Sequence, residues 1–213
     1  MNEAISLSID KATFVVVDVE TTGMSPLTDR VTEIAMMKVR NGHLVDEFST
    51  LINPLITIPA HITALTGIDN ITVADAPPAR EVARTIATFL GDSIFVAHNV
   101  AFDWGFVRQT LLREREIDLQ MPLLCTVKLS RKLLPSLPSH SLGVVAQALD
   151  IKIHERHRAS GDAYATALAL ITFLTHLKNQ RGLKTVDEVL KYQRGGEKRP
   201  RSSKILSGNR RVG

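Results

Sequence analysis

Apolar and polar positions alternate with two different periods along the chain, and the switches between them mark out its elements. Residues 13–19, TFVVVDV, are an apolar run rich in β-branched side chains, which predicts a first strand closed by the turn TTGMSP. Two further strand-like runs, about 31–40 and 44–52, flank Asn41-Gly42, a strong hairpin signal. IPAHITALTGI then predicts a short helix after Pro59 that Gly67 stops. From Pro78 the positions Val82, Ile86, Phe89 and Leu90 recur at helical spacing, with Gly91 as the end. SIFVAH at 93–98 predicts a strand, and Asn99 is placed to cap a helix from about 100 to 114. PLLCT predicts another short strand, followed by a helix to about 133 and a second near 141–149. A long helix from about 160 to 178 is apolar nearly all round, which predicts burial, and a short one follows near 185–192. Strands in a meander and then alternating with helices imply an α/β architecture, a mixed sheet covered by helices.

Charge changes this picture at one end only. Of 26 Lys and Arg, seven lie in residues 193–213 against one Glu, so residues 1–192 hold 19 basic and 21 acidic residues. The pI of about 9.4 therefore belongs to the tail, whose Gly, Ser and Pro predict disorder. A basic tail is either a solvated end or an electrostatic tether to nucleic acid. The single cysteine, Cys125, closes an apolar run and is expected to be buried, in keeping with a reducing compartment. MNEAISLSID lacks a secretory pattern, and no apolar run reaches the ~20 residues that span a bilayer. The expectation is a cytoplasmic protein with no membrane partner.

VVVDVETTG carries the first sign of chemistry. Side chains alternate along a strand, so Asp18 and Glu20 point the same way, where they repel each other and resist desolvation. Asp103 follows a strand in the first turn of the next helix, and Asp162 opens the long helix. Each of these two alone reads as a carboxylate favoured by a helix dipole. Four acids on separate segments, each where an apolar element emerges, point instead to one shared carboxylate site for hard divalent cations. No CxxC or HxxxH spacing lies nearby for zinc. A two-metal carboxylate site suits phosphodiester hydrolysis, with a histidine as base. Among seven histidines, His157 lies five residues before Asp162, and His154 is its rival.

VVVDVETTG, HNVAFD and HRASGDA, in that order, resemble the three motifs of the DEDDh 3′–5′ exonucleases, proteins of RNase H-like fold with a five-stranded mixed sheet. The likeness is greatest to the proofreading epsilon subunit of bacterial DNA polymerase III, and it runs over about residues 12–178. It implies an exonuclease domain at 12–178 and a C-terminal extension at 179–213. By this resemblance Asp18, Glu20, Asp103 and Asp162 bind two Mg²⁺ or Mn²⁺ ions, and His157 rather than His154 is the general base. It also implies that the main chain of Thr21, Thr22 and Gly23 holds the terminal nucleotide, with Glu20 near its 3′-hydroxyl. Leu65 is the candidate apolar wedge at the terminal bases, with a buried core leucine as the alternative. His98 and Asn99 line the site, or Asn99 simply caps its helix. Cys125 stands where relatives often carry an aspartate. No sliding-clamp motif or polymerase-binding region is visible, so a polymerase partner is not evident.

The expected activity is release of nucleoside 5′-monophosphates from the 3′ ends of DNA, single-stranded ends preferred. An exoribonuclease is the alternative within this chemistry. A catalytically silent nucleic-acid-binding module is the alternative outside it, and all five catalytic positions being filled argues against that one.

Overall fold

The computed structural model describes residues 3–153 and 158–195. The valine-rich run becomes β1 (Thr13–Thr21), two residues longer than its apolar core because Glu20 and Thr21 still pair with the next strand. That strand, β2 (Val31–Arg40), turns into β3 (His43–Leu51). Asn41 (φ 51°) and Gly42 (φ 74°) supply the two positive φ values that a tight hairpin turn of matching twist requires. α1 (Ala60–Thr66) ends at Gly67 in the left-handed region, and α2 (Ala79–Leu90) follows Pro78. Then come β4 (Ile94–Ala97), α3 (Val100–Arg115), β5 (Leu123–Cys125), α4 (Thr126–Leu133), α5 (Leu142–Ala148), α6 (Ala159–Arg181) and α7 (Val186–Arg194).

The strands form one mixed sheet in the order β3-β2-β1-β4-β5. β1 lies antiparallel to β2 and parallel to β4, which puts it at the centre. Its alternation divides the core in two. Phe14 and Val16, with Ala35, Met37 and Val39 of β2, pack under the alanines, Leu170 and Phe173 of α6. Val15, Val17 and Val19 face Ile86 and Leu90 of α2 and Phe106 and Leu111 of α3 on the opposite side. The run of alanines in α6 lets that long helix sit close on β1 and β2. Residues 53–78 form a separate lobe around Ile58, Ile68 and Val73, its ends joined by the Asn53–Pro78 bridge.

The C-terminal elements continue the core. α6 runs past residue 178, the expected domain boundary, to Arg181 and stops at Gly182 (φ 69°). Leu183, Val186, Val189 and Leu190 join the α6-side core, and Thr185 and Glu188 form a capping box for α7. Gln193 and Arg194, the first residues of the expected disordered tail, belong to α7. The Gln193 carboxamide behaves as a piece of strand: Cys125 N–H donates to its Oε1 (2.9 Å), and its Nε2 donates to the Leu123 carbonyl (2.7 Å). Residues 196–213, the rest of the basic tail, lie outside the described residues.

Candidate metal centre at the end of the central strand

Asp18 and Glu20 extend the face that carries Phe14 and Val16, so at the end of β1 the pleat turns two carboxylates toward α6. α6 brings a third. Asp162 sits in its first turn, its N–H donating to the Arg158 carbonyl (3.3 Å). Oxygens of Asp18, Glu20 and Asp162 all lie within 4.8 Å of one another, and all three residues are half-buried. Asp103, the fourth expected member, reaches the same end of β1 from the first turn of α3, and its charge acts on Asp18 ahead of that of Asp162. It is buried and accepts the Val19 N–H (3.3 Å) on one oxygen, and it is not one of the three residues whose oxygens meet within that reach.

Such crowding is expensive. Burial above all, then the charges of Asp103, Asp162, Glu20 and Glu33, push the Asp18 carboxyl well above its ordinary range. Glu20 rises to about 8, first through burial and then through Asp162, Glu33 and Asp103, with Arg158 opposing. Burial raises Asp103 to about 7, against the hydrogen bonds of its own amide and that of Val19. Three hard oxygen donors within one reach, strained by burial and mutual repulsion, fit a divalent cation, which relieves both costs at once.

The turn after β1 is held by hydrogen bonds of its own. Thr22 N–H donates to the Arg30 carbonyl (2.8 Å), and Thr22 Oγ1 accepts the Arg30 N–H (3.0 Å). The Thr21 hydroxyl donates to the Gly23 carbonyl (2.6 Å). Gly23 is glycine for a local reason, since a Cβ there would lie 2.5–2.7 Å from the Asp29 carboxyl group. Asp29 in turn accepts the Ser25 N–H (2.9 Å), and Arg113 ties down the Pro26 and Leu27 carbonyls from α3.

Both ring nitrogens of His98 are hydrogen-bonded within the protein. Its Nε2 meets the His140 carbonyl (2.9 Å), which needs a proton on Nε2, so Nδ1 accepts from the Thr126 hydroxyl (2.9 Å). Burial above all lowers its pKa and favours this neutral form, against the hydrogen bond to the His140 carbonyl. Asn99 holds the N-cap position of α3 but makes no side-chain cap hydrogen bond, because its backbone (φ −120°, ψ 77°) is not that of a capping residue. Leu65 is 56% exposed on α1, which removes the core-leucine alternative. Cys125 is buried, its Sγ toward the His98 carbonyl. His154 and His157 lie outside the described residues.

Glu33 is the acid that sequence reasoning missed. It lies opposite Glu20 in the β1–β2 register, and its carboxylate pairs with Arg158. Its signal was visible: VTEIAMMKV sets one carboxylate inside an apolar strand, the same anomaly that singled out Asp18. Among the described residues, no helix is long and apolar enough to cross a membrane.

Comparison with known proteins agrees with this geometry. The family model described as exonuclease matches residues 15–170. The PolC-type DNA polymerase III of Clostridium perfringens is 39% identical over 178 residues, 82% of this chain but 12% of that protein. That of Bacillus subtilis is 36% identical over 182 residues, 85% of this chain and 13% of its own length. The chain thus spans a small part of these curated relatives. Among solved structures, exonuclease X in complex with 5′-overhanging duplex DNA superposes with a TM-score of 0.65 at 28% identity, covering 83% of this chain and 99% of that one. Escherichia coli exonuclease I in complex with a dT13 oligonucleotide shares the fold, with a TM-score of 0.70 at 20% identity over 81% of this chain and 42% of its own. The matched segment takes in β1 from Val15 onward, the first turns of α3 and α6, and all four acids, and the chain belongs to the exonuclease family.

Proposed function

We propose that this chain is a metal-dependent 3′–5′ exonuclease that removes nucleotides from the ends of DNA, as in proofreading or repair. The convergence of Asp18, Glu20 and Asp162 within 4.8 Å, inside the segment shared with the exonuclease family, carries the reading. The DNA in the exonuclease X complex and the polymerase relatives support DNA as the substrate.

Asp18, Glu20 and Asp162, together with Asp103, would hold two divalent cations, Mg²⁺ or Mn²⁺. When bound, the cations supply a water of lowered pKa and stabilise the leaving oxygen. The protein's own groups do the rest. His157 takes the proton of the attacking water, and Glu20 lies near the terminal 3′-hydroxyl. The turn after β1, fixed by Thr22, Asp29 and Arg113, presents backbone at Gly23 to the last nucleotide, while Leu65 lies against the terminal bases. A single-stranded 3′ end suits these contacts, because a paired end must first open.

The test uses 5′-labelled single-stranded DNA and RNA of matched sequence in Mg²⁺, in Mn²⁺ and in EDTA, beside Asp103→Ala. The expected result is a metal-dependent ladder shortening from the 3′ end, faster on DNA and absent in the variant. Faster shortening of RNA would move the reading to an exoribonuclease. No ladder from folded protein on either substrate would overturn it.

A further inference from the structure

Glu33 is an acid with no part in the chemistry proposed above. It sits inside β2, 3% exposed, directly across from Glu20. Its charge adds to those that raise the carboxyl groups of Asp18 and Glu20. If Glu33 served stability alone, an apolar residue would serve as well without bringing another negative charge beside three. Its contacts point to a different use.

Glu33 grips two consecutive residues at the entrance to α6. Arg158 Nη2 donates to its Oε1 (2.7 Å), Arg158 Nε to its Oε2 (3.1 Å), and the Ala159 N–H to Oε2 (3.0 Å). This is a fork from guanidinium to carboxylate with a backbone amide added, a geometry that fixes orientation as well as distance. The Arg158 carbonyl in turn accepts the N–H of Gly161 (3.1 Å) and of Asp162 (3.3 Å). One hydrogen-bonded path therefore runs from β2, through residues 158 and 159, to the residue that α6 contributes to the carboxylate group. Glu33 and Arg158 are 125 positions apart in sequence, so the path also fixes α6 in register against the sheet.

We propose that Glu33 and Arg158 are a positioning pair that sets Asp162 against Asp18 and Glu20. Neither touches the reacting atoms. The proposal rests on the exonuclease reading. It assigns the pair the part that hydrogen-bonded outer partners play around metal ligands, where their loss costs about 10–100-fold in metal affinity or activity.

The test compares wild type with Glu33→Gln, Arg158→Gln and Arg158→Lys. Mn²⁺ affinity is read by paramagnetic resonance titration, kcat and KM on labelled single-stranded DNA, and folding by circular dichroism and unfolding midpoint. Arg158→Gln and Glu33→Gln are expected to stay folded, to bind Mn²⁺ about 10–100-fold more weakly and to lose kcat by a similar factor. KM should move by less than about 3-fold, because substrate binding is not what the pair controls. Arg158→Lys keeps the charge without the fork and should recover only part of both losses. Folded variants with wild-type Mn²⁺ affinity and wild-type kcat would overturn the proposal and leave an ordinary structural ion pair. If Arg158→Gln does not fold, Glu33→Gln, which keeps an acceptor for the Ala159 N–H, decides on the same two readings. A wild-type chain that neither binds Mn²⁺ nor shortens DNA overturns the exonuclease reading itself, and that failure is seen before any variant is made.

Discussion

Replacing Glu20 with glutamine should stabilise the metal-free protein while weakening its response to metal. In the metal-free chain the Glu20 carboxyl is pushed up to about 8 from an ordinary 4.5, by burial first and by Asp162 and the other acids next. A raised acid pKa means that the folded state holds the proton more tightly than the unfolded state. Its stabilising contribution is complete below the ordinary value and is lost as pH climbs through about 8. At about pH 5.5 the unfolded chain has already shed most of this proton while the folded chain keeps nearly all of it. By about pH 8 the folded chain keeps about half, a stability loss of about 3 kcal/mol across the window. For a chain of this size that is roughly 6–12 °C in Tm. Glutamine has the same shape and nothing to titrate, so Glu20→Gln should lack this part of the decline. Urea unfolding in EDTA at both pH values measures the difference directly. Saturating Mn²⁺ should then raise the wild-type midpoint at pH 8 by mass action and move the variant far less. Parallel decline of the two proteins in EDTA, or a variant less stable than wild type at pH 8, would refute the view that repulsion and burial dominate at this carboxylate.

Three further outcomes are expected. Gly23→Ala places a Cβ 2.5–2.7 Å from the Asp29 carboxyl group and should force it off the Ser25 N–H. The cost is about 1–3 kcal/mol, read as a lower unfolding midpoint, and an unchanged midpoint would show that the loop yields freely. His157→Ala should lower kcat by about 10²–10⁴-fold with KM nearly constant, and single-turnover rates on labelled DNA check it; wild-type turnover would remove the proposed base. Deleting 196–213, with six Lys and Arg against one Glu, should weaken DNA binding most at low salt. Equal salt dependence with and without those residues would leave the tail without that role.

How far the fold could be read from the sequence followed the range of the physics. The hairpin at Asn41-Gly42, the helix stop at Gly67 and the shared face of Asp18 and Glu20 depend on neighbours a few residues away, and all are where the pattern put them. β1 and α6 ran a few residues beyond expectation, because pairing and packing partners continue an element after its own pattern fades. What escaped was set by partners far along the chain. His98 is taken by the His140 carbonyl, 42 residues on, and Glu33 by Arg158. Asp103 bonds the Val19 N–H across 84 residues. A shared site was suggested by acids placed where apolar elements emerge and strengthened by the resemblance of three motifs, since spacing along the chain does not fix which ends of a sheet meet. Gly23 had a visible motif and a hidden cause: the glycine belongs to a pattern associated with nucleotides, and here it also makes room for Asp29.

The carboxamide of Gln193 has a bearing on how this protein can be trimmed or joined to others. β5 is only three residues long and is the last strand on its side of the sheet. Its backbone would offer free donors and acceptors to any extended chain if Gln193 did not occupy them. Cutting the protein back to residues 15–170, the segment it shares with its family, would remove that plug along with Phe173, Leu177 and α7. The shortened chain would keep the four acids and yet carry a sticky edge, prone to strand-to-strand association. A fusion partner is better attached after Gly195 than anywhere inside α7, where it would work the plug loose.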